Sequence, residues 1–143
     1  MQAPKFEDVL ERILARDPRY ARDAYFFVRE ALDFTQKNAV KSGREKDRHV
    51  TGQELLAGIR EFALEQYGPM TPLLLGEWGL TRCEDFGELV FNMVEAGLLG
   101  KTKKDSREDF KGGYDFDDAF RRPFRPTRQG APPEPRPVRS GNA

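Results

Sequence analysis

The segment HVTGQELLAGIREFALEQYGP, residues 49–69, constrains the fold more than any other stretch of this chain. Thr51 and Glu54 form a T-x-x-E pattern, in which each side chain satisfies an otherwise unbonded backbone N–H of the first helical turn. Apolar residues then recur at helical spacing, namely Leu55, Leu56, Ile59, Phe62, Ala63 and Tyr67. Gly68 and Pro69 predict the end of the helix, because glycine adopts the left-handed cap and proline cannot continue a helix.

Two earlier segments repeat this helical spacing. The first has the apolar stripe Phe6, Val9, Leu10, Ile13 and Leu14. Asp17 and Pro18 then predict the start of a second helix, as an N-cap followed by proline at the first helical position. Its stripe is Tyr20, Ala24, Phe27, Val28, Ala31 and Leu32, widened by Tyr25, Phe26 and Phe34. So much aromatic area predicts a central, largely buried helix.

The segment of residues 73–101 has the rhythm of a helix-turn-helix. Thr71 and Pro72 open a short helix that Gly79 ends, and a second T-x-x-E pattern, Thr81 with Glu84, opens the next helix. That helix has the apolar stripe Phe86, Leu89, Val90, Met93 and Val94, and it ends at Gly97.

The residues after Gly97 predict a change from helix to strand. Leu98 and Leu99 begin one strand, and the alternation of Tyr114 and Phe116 is typical of a half-buried return strand. With a short strand at His49 and Val50, the expected fold is mainly α with a small β-hairpin. It is a winged-helix-like helical domain, preceded by two helices and followed by a disordered tail. The alternative is a helical bundle with an irregular C-terminal arm.

Charge divides the chain into two regions, a domain of residues 1–120 and a tail of residues 121–143. The domain carries a net charge of −5 and the tail +5, although the whole chain sums to zero. The tail contains six prolines and no apolar period, so it cannot offset its ordering entropy by burial and is predicted to be disordered. Its arginines are candidate contacts for an anionic partner, or they merely solvate the tail: Arg121, Arg122, Arg125, Arg128, Arg136 and Arg139.

The polar face of the helix over residues 84–95 argues against sequence-specific DNA binding by this helix. Opposite its apolar stripe lie Glu84, Asp85, Glu88, Asn92 and Glu95. A DNA-recognition helix lies close to the negatively charged phosphates of the duplex and contacts specific bases mostly through Arg, Lys, Asn or Gln. Four carboxylates there would repel the duplex. We expect this face to be a protein-docking surface or simply a solvated one.

Candidate catalytic and metal-ligating residues are few. His49 is the single histidine and Cys83 the single cysteine, too few for a zinc site of the usual ligand count. The acids between residues 105 and 118 lack the spacing of a calcium loop, and no phosphate-binding loop is present. The sequence therefore predicts a protein that is not an enzyme, with no cofactor and no metal.

The N-terminal segment has acids where a signal peptide needs an apolar core, and no apolar run approaches a membrane span. One cysteine excludes an intramolecular disulfide and fits a reducing compartment. We expect a cytoplasmic protein without membrane contact.

Three stretches carry a resemblance to a known family: DPRYARDAYFFVREALDFT, RHVTGQELLAGIREFALEQYGP and EDFGELVFNMVEAGLLGKTKKDSREDFKGGYDFDDAF. Over about residues 6–120 the chain resembles short conserved hypothetical proteins of planctomycetes and verrucomicrobia. The resemblance implies lineage and domain extent, and it implies no activity, substrate or functional residue.

Two main functions remain open from the sequence, beside a third hypothesis of a small enzyme that uses His49. The first is a cytoplasmic, non-catalytic protein–protein interaction or regulatory module with an unknown protein partner. The second is a nucleic-acid-associated protein, an RNA or ribosome binder, in which the basic tail makes the contacts.

Overall fold

The computed structural model describes residues 5–41, 43, 50–99 and 107–125, and the regular structure in these ranges is helical throughout. Five α-helices occur in them: α1 (Phe6–Arg16), α2 (Arg22–Lys41), α3 (Gly52–Tyr67), α4 (Thr71–Glu77) and α5 (Cys83–Glu95). Short 3₁₀ turns lie at Gly68–Met70, Arg107–Phe110 and Arg122–Phe124, and a π-helical turn lies at Asp117–Arg121.

The helix predicted from the capping box is confirmed. Glu54 N–H donates to Thr51 Oγ1 at 3.1 Å, and Thr51 N–H donates to Glu54 Oε1 at 2.9 Å. The helix ends at Tyr67, and Gly68 follows with φ +53. Both ends are therefore fixed by local chemistry that the sequence displays.

The central pair of the fold is α2 packed against α3. Both are lined by fully buried apolar side chains, among them Tyr25, Phe27, Leu56 and Ile59. The two backbones come very close where Gly58 faces Thr35, since a Cβ on Gly58 would lie 1.8 Å from Thr35 Oγ1. Helices α1, α4 and α5 add further core residues, which include Leu10, Ile13, Leu75, Phe86, Leu89 and Met93.

The predicted β-hairpin and winged-helix-like arrangement are wrong, because residues 50–99 and 107–125 contain no strand. Leu98 and Leu99, expected to begin the first strand, turn back onto α5. Leu98 N–H donates to Met93 O at 2.9 Å and Gly97 N–H donates to Val94 O at 3.1 Å. With Gly97 at φ +83, this is a Schellman cap, which satisfies the last helical carbonyls without a strand.

The aromatic alternation that predicted the return strand has another cause. Tyr114 and Phe116 are half-buried against helices: the Tyr114 hydroxyl donates to Leu56 O at 2.8 Å, and Phe116 stacks on Phe86 with ring centroids 5.6 Å apart. The third expected strand consisted of His49 and Val50, and His49 lies outside the described residues. Val50 has no strand structure and directly precedes the cap residue of α3.

Residues 107–125, called here the C-terminal arm, pack against α3, α4 and α5. Phe110 and Phe120 are buried, with 5% and 0% of their surface exposed. Gly87 on α5 allows this approach, since a Cβ there would lie 3.0 Å from Phe110 side-chain atoms. The alternative left open by the sequence, a helical bundle with an irregular C-terminal arm, describes the observed architecture.

Two predicted helix starts are displaced, that of α2 by four residues and that of α5 by one. Asp17 ends α1, with its N–H donating to Ile13 O at 2.8 Å, and α2 begins only at Arg22. Helix α5 begins at Cys83. The backbone N–H groups just before this helix donate hydrogen bonds to the carboxylate of Asp85. Asp85 Oδ2 accepts from the N–H groups of Thr81 at 2.9 Å and Arg82 at 3.2 Å. Glu84, which the T-x-x-E pattern assigned to this role, is one residue too early.

The predicted division between domain and tail falls inside ordered structure. Residues 121–125, assigned to the tail, belong to helical turns at the end of the C-terminal arm. Residues 126–143 lie outside the described part of the chain. Among the helices described, none has both the length and the apolar character needed to cross a bilayer.

Candidate functional site

The polar face of α5 is largely turned inward. Asp85 and Asn92 keep only 8% and 7% of their surface exposed, so the prediction that they are exposed is wrong. Glu84 and Glu88 are half-buried, and Glu95 is exposed. The sequence could not reveal this, because the surface that covers Asp85 and Asn92 comes from the link between α1 and α2, more than sixty residues away.

Asp85 joins this link to the start of α5. The buried Tyr20 hydroxyl donates to Asp85 Oδ1 at 2.8 Å. The other oxygen, Asp85 Oδ2, accepts a hydrogen bond from the backbone just before α5. Burial, together with the hydrogen bond to Asp85, raises the pKa of Tyr20. The phenol therefore stays a hydrogen-bond donor, and the pair is a structural clamp.

Asn92 and Glu88 make the second half of the connection. Asn92 Nδ2 donates to Asp17 Oδ2 at 2.9 Å and to the Tyr25 hydroxyl at 3.0 Å. Arg19 donates to Asp17 through Nε at 2.9 Å and Nη2 at 2.7 Å, and Nη2 also reaches Glu88 Oε1 at 3.1 Å. The bidentate Arg19 contact holds the pKa of Asp17 well below its usual range.

These contacts bind α5 to the N-terminal helices and leave little of its polar face for a partner. Of the five residues predicted as a docking face, Asp85, Asn92 and Glu88 are engaged inside the molecule. Glu84 and Glu95 are left without a described ion pair. The face is therefore mainly an intramolecular interface.

Three of the arginines predicted to contact an anionic partner are paired with aspartates of their own segment. Arg125 lies 2.6 Å from Asp117, Arg121 lies 3.8 Å from Asp117, and Arg122 lies 3.4 Å from Asp118. The other three, Arg128, Arg136 and Arg139, lie outside the described residues.

The same pairing limits a metal interpretation of the aspartates. Carboxylate oxygens of Asp115, Asp117 and Asp118 lie within 4.8 Å of one another. The three arginines already balance this charge, and Asp115 Oδ2 accepts from Asp118 N–H at 3.1 Å. We therefore interpret the three aspartates as part of a solvated turn whose charge is neutralised by the neighbouring arginines.

Of the two residues weighed for catalysis, the structure describes only Cys83. Cys83 is 2% exposed, and its sulfur faces the backbone of Tyr114, 3.4 Å from N and 3.3 Å from O. Burial raises the pKa of this thiol, so the reactive thiolate is disfavoured. His49 lies outside the described residues.

The surface that sequence reasoning missed is aromatic. Phe34 lies 5.2 Å from Phe62, Phe62 lies 5.7 Å from Phe27, and Phe27 lies 5.6 Å from Trp78 and 5.9 Å from Tyr67, all between ring centroids. Phe27 is buried beneath, while the other four rings are half-buried. We call these five residues the aromatic strip. It runs from α2 and α3 to the residue that follows α4.

Acidic side chains lie next to Phe27 of the strip, since the exposed Asp23 and Glu30 are four residues before it and three residues after it on α2. Burial raises the pKa of the Tyr67 phenol, and the charges of these two carboxylates add to the effect. No described residue forms an ion pair with either carboxylate. The segment between Tyr67 and Trp78 also exposes Met70 (51%) and Leu73 (58%), so apolar surface continues there.

The sequence contained a signal for this surface. The apolar face of α2 is wider than one core-facing stripe, because Phe26 and Phe34 extend it on either side. An apolar face of that width predicts a fully buried helix when the neighbouring helices are large enough to cover it. Here α3 and α5 pack on α2, and Phe6 of α1 lies against Phe26, while Phe34 at the other edge stays half-buried.

Comparison with known protein families, with curated protein sequences and with solved structures gives no match to this chain. The resemblance to planctomycete and verrucomicrobial proteins therefore stays a prediction. The regular structure of the described residues is helical, and the assignment of a role depends on the chemistry of their surfaces.

Proposed function

We propose that this protein is a non-catalytic interaction module whose aromatic strip binds an arginine- and proline-rich segment of a partner protein. The observation that carries the proposal is the combination of half-buried rings with neighbouring carboxylates for which the described residues provide no ion pair. Aromatic-lined surfaces recognise proline-rich segments, since their preformed polyproline II conformation loses little entropy on binding. Arginine adds stacking on ring faces and ion pairs with carboxylates.

This proposal moves the docking surface away from α5. The carboxylates predicted to face a partner there are mostly engaged with Arg19, Tyr20 and Asp17, whereas Asp23 and Glu30 have no described ion pair. A charge that is already bonded must lose that bond before it can serve a partner, which lowers the gain. We assign the module to the cytoplasm, in keeping with its single buried, unpaired cysteine.

Trp78 provides the test, because it is the only tryptophan of the chain and lies in the strip. The probe is a synthetic proline-rich peptide with arginine at every third position. Its matched control has glutamate in place of each arginine. We expect the arginine peptide to change Trp78 fluorescence saturably and to bind at least tenfold more tightly than the glutamate peptide.

Two charge reversals locate the site. Glu30→Lys replaces an attraction by a repulsion beside the strip, and we expect it to weaken arginine-peptide binding about fivefold, the size of an exposed charge-pair effect. Glu95→Lys makes the same change on α5 and should leave binding unaltered. Weaker binding in Glu95→Lys alone would return the docking site to α5. Preference for a single-stranded RNA probe over the arginine peptide would favour the nucleic-acid function instead.

A further inference from the structure

Two rings of the aromatic strip carry polar donors for which the described residues provide no acceptor: the Tyr67 hydroxyl and the Trp78 indole N–H. The other three tyrosines of the chain, Tyr20, Tyr25 and Tyr114, all use their hydroxyls inside the fold. A donor that is shut away from water without an acceptor is strongly unfavourable. Because Tyr67 and Trp78 are only half-buried, we infer that their donors face solvent, so the strip offers hydrogen bonds as well as apolar surface.

The fold holds these two donors in fixed positions. The Trp78 C=O accepts from Ala21 N–H at 3.1 Å, which ties the end of α4 to the residue before α2. Tyr67 is the last residue of α3. The Tyr67 and Trp78 rings meet edge to face, with centroids 6.0 Å apart and an interplanar angle of 78°, and both contact Phe27. Groups that are already in place lose little freedom when a ligand binds, so they add to its affinity.

This pair of donors fits the backbone of a polyproline II segment. That conformation makes no internal hydrogen bonds, so its carbonyl groups stay available as acceptors. It rises about 3.1 Å per residue, so two rings with centroids 6.0 Å apart span about two residues of such a chain. Proline also lacks a backbone N–H, so a proline-rich chain presents mainly acceptors, which suits a surface whose polar groups donate.

We infer that the Tyr67 hydroxyl and the Trp78 indole N–H donate hydrogen bonds to backbone carbonyls of a polyproline II segment that lies across the aromatic strip. This inference rests on the proposed function and deepens it, because it names the groups that recognise the backbone of the partner. The rings contact the prolines, and the two donors set the register of the segment. The strip therefore selects an extended, proline-rich backbone in addition to arginine charge.

Tyr67→Phe tests the first donor, because it removes the hydroxyl and keeps the ring. Since no described residue accepts from this hydroxyl, the variant should unfold at the same urea concentration as wild type. Its affinity for the arginine peptide should fall about fivefold, the effect of one neutral hydrogen bond. The matched control is Tyr114→Phe, which removes a hydroxyl that donates to Leu56 O at 2.8 Å outside the strip. This control should lower the urea midpoint and leave peptide affinity unaltered.

NMR spectroscopy tests the second donor, because Trp78 gives the single indole N–H signal of the chain. We expect saturating arginine peptide to move this proton downfield, as a new hydrogen bond to a carbonyl requires. A second peptide keeps every arginine and has alanine in place of each proline. It should bind at least fivefold more weakly, since it must first adopt the extended conformation.

Equal affinity of Tyr67→Phe and wild type would overturn the inference, and so would an indole proton that does not move at saturation. Equal binding of the alanine peptide would overturn the selection of a polyproline II backbone.

The same measurements separate this inference from the proposed function. Absence of arginine-peptide binding by the wild-type protein contradicts the proposed function itself. Saturable binding by wild type that Tyr67→Phe does not weaken leaves the proposed function in place and removes the recognition of the backbone.

Discussion

Gly58 offers the sharpest test of the helical packing. It lies in the middle of α3, where glycine is less favourable than alanine by about 1 kcal/mol. On helix propensity alone, Gly58→Ala should stabilise the protein. The structure predicts the opposite, because α2 crosses α3 at this position.

The clash can be followed atom by atom. An alanine Cβ at position 58 would lie 1.8 Å from Thr35 Oγ1, 2.9 Å from Thr35 Cβ and 3.1 Å from Thr35 Cγ2. Rotation about χ1 of Thr35 can move Oγ1 but cannot move Cβ, so the helices must separate. Thr35 Oγ1 also donates to Ala31 O at 2.7 Å, a bond that rotation would break.

Overpacking of a core costs about 1–3 kcal/mol, and contacts this short place Gly58→Ala at the upper end. After the gain in helix propensity, we expect a net loss of about 2 kcal/mol in the free energy of unfolding. With a urea m-value of about 2 kcal/mol/M, the unfolding midpoint should fall by about 1 M.

The matched control is Gly76→Ala. Gly76 is helical in α4 and exposed, and a Cβ there meets no atom within 4 Å. This variant should be at least as stable as wild type, with a gain of up to about 1 kcal/mol. Adding Thr35→Ala to Gly58→Ala removes two of the three clashing atoms and should cost less than the two single changes added together. A Gly58→Ala protein as stable as wild type would refute the close α2–α3 crossing.

Two further predictions concern the link between α1 and α2 and helix α5. Asp85→Ala should lower the free energy of unfolding by about 2 kcal/mol, since it removes the acceptor for Tyr20 and for two backbone N–H groups, whereas Glu84→Ala should change it by less than about 0.5 kcal/mol. Urea unfolding of both variants checks this, and equal losses would contradict the assignment of the cap to Asp85. The low pKa of Asp17 contributes stability that is present above about pH 4, the unfolded value, and is lost as the pH falls below it. Asp17→Asn should therefore flatten the acid limb of stability against pH, and an unchanged slope would show that Asp17 does not contribute to it.

The helices could be predicted to the extent that their ends are marked by adjacent residues. The Thr51–Glu54 box, the Gly68–Pro69 stop and the glycines that follow α4 and α5 all act within a few positions in sequence, and their locations are confirmed. Where two acceptors compete, the sequence was a poor guide. At α5 both Glu84 and Asp85 are near the first turn, and burial beneath Tyr20 selects Asp85.

The prediction of a β-hairpin was wrong for a related reason. Two alternating aromatics, Tyr114 and Phe116, fit a strand as well as they fit an arm laid over helices. Only the presence of a partner strand distinguishes the two structures. Helices α3 and α5 provide the surface that these rings cover, and no described strand accompanies them.

The sequence by itself determined the five helices, most of their ends and the charge difference between the domain and the last residues, because these depend on local periodicity, capping and composition. The tertiary structure alone decided which polar residues are engaged and which rings stay half-exposed. Asp85 and Asn92 lie on the same helix face as Glu95, yet they are buried because a distant link crosses only part of that face. Phe34, Phe62 and Tyr67 belong to the apolar stripes that the sequence predicts to face the core, yet the folded chain leaves them only half-buried.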